Sequence, residues 1–134
     1  MSSGWTSSDA WVLASIEGGG PRDGYTLAQV IAKADAINHA VPAETELVRA
    51  VARLVAAGLV GADAAADRYW LTEAGAALRR RSTGRGLFGW MEALPPTLAR
   101  LGVPAEGDWS LPPAAFDRAL RAYRRRAGRF GRDG

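Results

Sequence analysis

Two arginines, Arg49 and Arg53, stand about one helical turn apart in a run whose other side is apolar, at Leu47, Ala50, Val51, Leu54 and Val55. Guanidinium groups at that spacing can enter a nucleic-acid groove, because their planar donors match both base edges and phosphate oxygens. Glu44, Thr45, Val48 and Ala52 share the outward side, so only Thr45 and the two arginines there could read or hold a duplex. Glu44 and Glu46 oppose that use, since carboxylates repel a phosphate backbone. Glu46 with Arg49 is also an i to i+3 pair of the kind that decorates a solvated helix. Further guanidinium groups come from Arg68 in an aromatic strand pattern and from Arg79, Arg80 and Arg81 at the end of a helical one. The last three could contact phosphate or simply complement the negative end of the helix dipole.

Catalytic chemistry is hard to assemble from the rest. The chain has no cysteine and one histidine, which excludes thiolate metal sites, disulfides and cysteine nucleophiles. His39 follows Asn38 between two helical patterns, where a capping or packing role is the simpler account. Glu44 and Glu46 lie two apart and do not face each other as an acid–base pair. No serine sits in a nucleophile elbow. The run Gly18, Gly19, Gly20 follows a helical pattern rather than a strand and precedes no Lys-Ser or Lys-Thr pair, so a phosphate loop is not expected there. A binding protein is expected rather than an enzyme, with no cofactor and no metal.

The elements that must position these groups follow from periodicity. Ser7 or Ser8 can cap a first helix with Trp11, Val12 and Ile16 on its apolar side, stopped by the glycines and Pro21. Thr26 can cap a second helix with the stripe Leu27, Val30, Ile31, Ala34 and Ile37. A third helix is expected from Pro42 to Ala57, with proline at its first position and Gly58 as its stop. Leu59 and Val60 then read as a short strand, 61–67 as a loop and Arg68 to Thr72 as a returning strand. Glu73 to Arg81 completes a fourth helix. Ser82 to Gly86 is a flexible break. Leu87, Phe88, Trp90, Met91 and Leu94, then Leu98 and Leu101, predict one or two short packing helices around Pro95 and Pro96. A loop over 102–113, pinned by Trp109, leads to a last helix from near Pro113. That helix places Phe116, Ala119, Leu120, Tyr123 and Ala127 on one side, with Arg118, Arg121 and Arg125 and the neighbouring Arg124 and Arg126 largely outward. Arg129 and Arg132 carry the charge into a Gly-rich end.

At 134 residues the chain is long enough for a substantial core, and nearly half of its residues are apolar. Basic groups are sixteen arginines and one lysine, a usage that points to a GC-rich bacterial genome. Charge is uneven: residues 1–78 carry net −4 and residues 79–134 net +7, giving the total of +3. The basic character of the second part points to an acidic or polyanionic partner. No leader pattern opens the chain and no apolar run approaches a membrane span, so a cytoplasmic protein with no membrane association is expected.

The run Leu54 to Val60, the hairpin, and Leu71, Thr72, Glu73, Ala74, Gly75 ahead of a helix resemble the winged helix-turn-helix domains of bacterial MarR-like and PadR-like transcriptional regulators. The resemblance implies a mainly α fold with a small β-hairpin (α+β), as a winged helix-turn-helix domain over 1–81 and a helical extension with a basic last helix over 82–134. It also implies a small bacterial DNA-binding regulator, a homodimer whose third helix enters the major groove of double-stranded DNA while the wing and arginine-rich segments hold phosphates. The DNA-contacting set would be Thr45, Arg49, Arg53, Arg68, Arg79, Arg80, Arg121 and Arg125. Glu44, Glu46 and the long connection from Ala34 to Pro42 depart from the simplest pattern. They leave open a second expectation, a winged-helix module that binds a protein partner instead of specific DNA.

Overall fold

The computed structural model describes residues 4–81 and 89–133, the side chains of 89–93 and 128–133 excepted. Those residues form six helices and one two-stranded antiparallel sheet. The break read at Ser82 to Gly86 lies outside the described residues with Leu87 and Phe88, as do the side chains of Trp90, Met91, Arg129 and Arg132.

Helix α1 spans Ser7–Ala14, and Thr6 rather than Ser7 or Ser8 is its cap. Thr6 Oγ1 accepts from the Asp9 N–H at 3.2 Å, and Asp9 Oδ2 accepts from the Thr6 N–H at 2.8 Å, a reciprocal pair that satisfies two donors at the helix start. Ile16 lies past the end of α1 but is buried all the same. Helix α2, Leu27–Asn38, has the expected Thr26 cap and ends at His39 in the left-handed conformation, whose N–H donates to the Asp35 carbonyl at 2.7 Å.

Helix α3, Glu44–Ala56, begins two residues later than expected: Pro42 is buried ahead of it and Ala43 takes the cap position. Ala43 has no side-chain acceptor, but Glu46 reaches back to its N–H at 3.1 Å. Gly58 follows with φ +76°, a conformation that a side chain would strain. Strands β1 (Val60–Asp63) and β2 (Arg68–Leu71) pair in the register Val60 with Leu71 through Asp63 with Arg68. The hairpin is therefore tighter than the 61–67 loop expected from sequence. Tyr25 adds one rung beside Tyr69, with the two N–H···O bonds at 2.7 and 2.8 Å.

Helix α4 is Glu73–Arg81, as expected. Helix α5, Gly89–Ala99, runs through Pro95 and Pro96, each of which lacks a donor for the helical ladder. Leu94 and Leu98 from this helix are wholly buried, which offsets that loss by about 1.5–3 kcal/mol per side chain. Helix α6, Ala115–Asp133, begins two residues after Pro113. It lies on α2: Phe116 is buried, Ala119, Leu120 and Tyr123 are half-buried, and the Tyr123 hydroxyl donates to Asp35. Ala127, expected on the same side, is exposed. Ala115 and Ala119 line one depression with Leu27 and Ala28, and Tyr123 reaches Asp35 of α2.

One apolar cluster joins these elements. It holds Leu13, Ile16, Ile31, Leu47, Leu54, Tyr69 and Leu78 together with Leu94, Leu98 and Phe116 from the second part of the chain. No helix among the described residues is long and apolar enough to cross a membrane.

Candidate nucleic-acid interface

Arg53 is the most buried of the expected contact residues, at 1% exposure. Its Nη1 donates to Asp9 Oδ2 at 2.9 Å and to the Gly4 carbonyl at 3.2 Å, and its Nη2 to Glu106 Oε2 at 2.7 Å. Its Nε donates to Glu106 Oε1 at 3.3 Å. The side chain thus fastens the first turn of α1, the last turn of α3 and the 102–113 loop to one another. Arg53 does not offer its guanidinium to a groove, which corrects the expectation from sequence. The helix places it just beyond the outward face, where α1 and the loop close over it. The Glu106 hydrogen bond raises the pKa of Arg53 further against the effect of burial.

The same loop touches α3 at Arg49, Ala52 and Arg53. Glu106 Oε1 also accepts from Arg49 Nε at 3.1 Å, so one carboxylate bridges the two arginines expected to read DNA. Hydrogen bonds from Arg53 and then Arg49 hold the Glu106 carboxyl down at about 2, from an ordinary 4.5. Gly107, with φ +69°, lies against the backbone of Ala52: a Cβ there would stand 2.3 Å from the Ala52 carbonyl oxygen. Trp109 meets Tyr69 edge-on at 5.9 Å between ring centres, and Trp5 Nε1 donates to the Gly102 carbonyl at 3.0 Å. Ala52 is accordingly buried, and Thr45 and Arg49 remain exposed at the edge of a cavity of about 450 Å³ between helix and loop. Glu46 is also spent internally, on the Ala43 N–H and on the Ser8 hydroxyl.

The remaining expected contacts are dispersed. Arg68 is half-buried, its Nη1 3.5 Å from the Gly24 carbonyl, and it lines a depression with Thr26, Gln29, Tyr123 and Arg126. Arg79 is half-buried and donates to the Ile16 carbonyl at 3.3 Å, while Arg80 beside it is exposed near Gly18 and Leu71. Arg121 and Arg125 are exposed on α6, where Arg118, Arg124 and Arg126 join them. Arg121 Nε donates to the Asp117 carbonyl of its own helix, at 3.4 Å. No carboxylate among the described residues lies within ion-pair distance of these five arginines. Thr45 and Arg49 therefore share one location, Arg68 a second with α6, and Arg79 and Arg80 a third.

Sequence reasoning missed Asp9, Glu106 and the Tyr123–Asp35 contact. Thr6-x-x-Asp9 ahead of an apolar run is a capping-box pattern that could have found Asp9 as a cap, though not as the partner of Arg53. Glu106 sits in an irregular loop 53 residues after Arg53, and nothing local in sequence signals that contact. Comparison with family models, with curated proteins and with solved structures gave no match.

Proposed function

We propose that this is a winged helix-turn-helix binding protein that engages double-stranded DNA through the phosphate backbone, with α6 as its contact surface and without base reading by α3. The order of α1, the Tyr25 rung, α2, α3 and the β1–β2 hairpin supports the winged-helix assignment, because Tyr25 occupies the place of a short third strand beside the wing. The observation that carries the DNA reading is the arginine face of α6, which has no ion pair among the described residues: Arg118, Arg121, Arg124 and Arg125 are exposed, and no acidic residue interrupts the chain between Asp117 and Asp133. Such a face gains affinity by releasing counterions from a duplex and carries no sequence information of its own. A cytoplasmic location and a non-enzymatic, regulatory role go with this proposal. So does a homodimer, for which the exposed Leu101 and Val103 are the apolar groups to test first.

Selection from a random duplex library tests it. Salt-sensitive binding without an enriched motif is the expected result, and strong enrichment of one motif would overturn the backbone-only account. The coverage of α3 by the 102–113 loop favours one second reading, a winged-helix module whose α6 meets an acidic protein. That reading predicts no duplex binding even at low salt and a stable complex with an acidic partner.

A further inference from the structure

We propose that the cavity between α3 and the 102–113 loop binds a small cationic amphiphile, an aromatic or alkyl amine with one positive charge. Its volume of about 450 Å³ falls in the range of small-molecule sites. The loop wall is fixed in advance: Glu106 is tied to two arginines, Gly107 rests on the Ala52 backbone, and Trp109 is held against Tyr69. A site already shaped loses little entropy on binding.

Its surfaces divide into an apolar part and a polar rim. Val48, Ala52, Trp109 and Leu111 supply the apolar part. On the rim, the charges of Arg49 and Glu106 offset each other, and Arg53 below is balanced by Asp9 and the same Glu106. Glu44 is left over: it is exposed, lines the cavity, and has no ion pair or side-chain hydrogen bond among the described residues. An apolar pocket with one uncommitted carboxylate at its mouth complements an apolar body bearing an ammonium group. A carboxylate of the same shape would meet the uncompensated Glu44 and be disfavoured.

Three probes sharing one aromatic body distinguish the outcomes: 1-naphthylmethylammonium, 1-naphthylmethanol and 1-naphthylacetate, each titrated into the ¹⁵N-labelled full chain and followed by NMR. The ammonium probe is expected to shift the Val48, Ala52 and Gly107 amides and the Trp109 indole N–H saturably. The alcohol should bind more weakly and the carboxylate should produce no such shifts. Glu44→Gln, at an exposed position, should keep the wild-type spectrum elsewhere and weaken the ammonium probe about fivefold. Absence of saturable shifts with all three probes would overturn the proposal. So would shifts confined to other surfaces, equal binding of the carboxylate, or an unchanged ammonium affinity in Glu44→Gln. None of these measurements involves α6, so the result is independent of how the protein meets DNA.

Discussion

Helices α3 and α6 are both amphipathic and both carry arginines away from their apolar side, yet the chain treats the two sets oppositely. On α3, Arg53 is enclosed by Asp9 and Glu106, and Arg49 is held by the same Glu106. On α6, five arginines face solvent with no carboxylate within ion-pair distance among the described residues. Arginine spacing on a helix is therefore not enough to identify a binding surface. What matters is whether the fold already supplies the counter-charge, and on α3 a distant loop does.

The sharpest break in this comparison is Arg53→Met. It leaves Asp9 buried without its cationic partner, so urea denaturation should show a loss of roughly 3–5 kcal/mol. A loss below about 1 kcal/mol, the range of exposed pairs, would mean that Arg53 is solvated and available to a ligand. Gly107→Ala should be next, because it forces a side chain into a left-handed position and against the Ala52 carbonyl. A cost of roughly 1–3 kcal/mol is expected from thermal unfolding, with a hydrogen-exchange increase in α3 and the loop.

The pH dependence sharpens the account of Glu106. Its folded pKa of about 2 lies below the ordinary 4.5, so its stabilisation is complete above 4.5 and is lost as pH falls towards 2. Glu17, held low by its hydrogen bond to Lys33, acts in the same direction. The difference between wild type and Glu106→Gln, measured by denaturation at pH 7 and pH 3, isolates the bridge. The gap between the two proteins should shrink at the lower pH, and a constant gap would contradict the bridge. The smallest effect belongs to Arg49→Ala, whose side chain is 59% exposed. Its stability cost should fall within about 0–1 kcal/mol by the same denaturation assay.

The contrast also explains which features were legible in sequence. Helices α2 and α4, the Gly58 stop and the arginine face of α6 follow from local periodicity and from residues with special backbone preferences, and these appear where expected. Helix α3 starts at Glu44, with Pro42 buried ahead of it rather than opening it, and α5 passes through two prolines because burial of Leu94 and Leu98 outweighs local propensity. The fate of Arg53 was not legible, since it depends on Asp9 and Glu106, 44 and 53 residues away. Irregular loops leave no periodic signal, and long-range ion pairing leaves none at all. The α3–loop cavity was hidden for the same reason.

The most direct test compares duplex affinity for Arg49→Ala with that of a variant carrying Arg118→Gln, Arg121→Gln, Arg124→Gln and Arg125→Gln, each measured across a range of salt concentrations. The α6 variant should lose most of its binding, and the slope of log affinity against log salt should flatten by roughly 3 to 4 for four lost phosphate contacts. Arg49→Ala should match wild type. Loss of binding with Arg49→Ala and retention in the α6 variant would contradict the central claim and return the contact surface to α3.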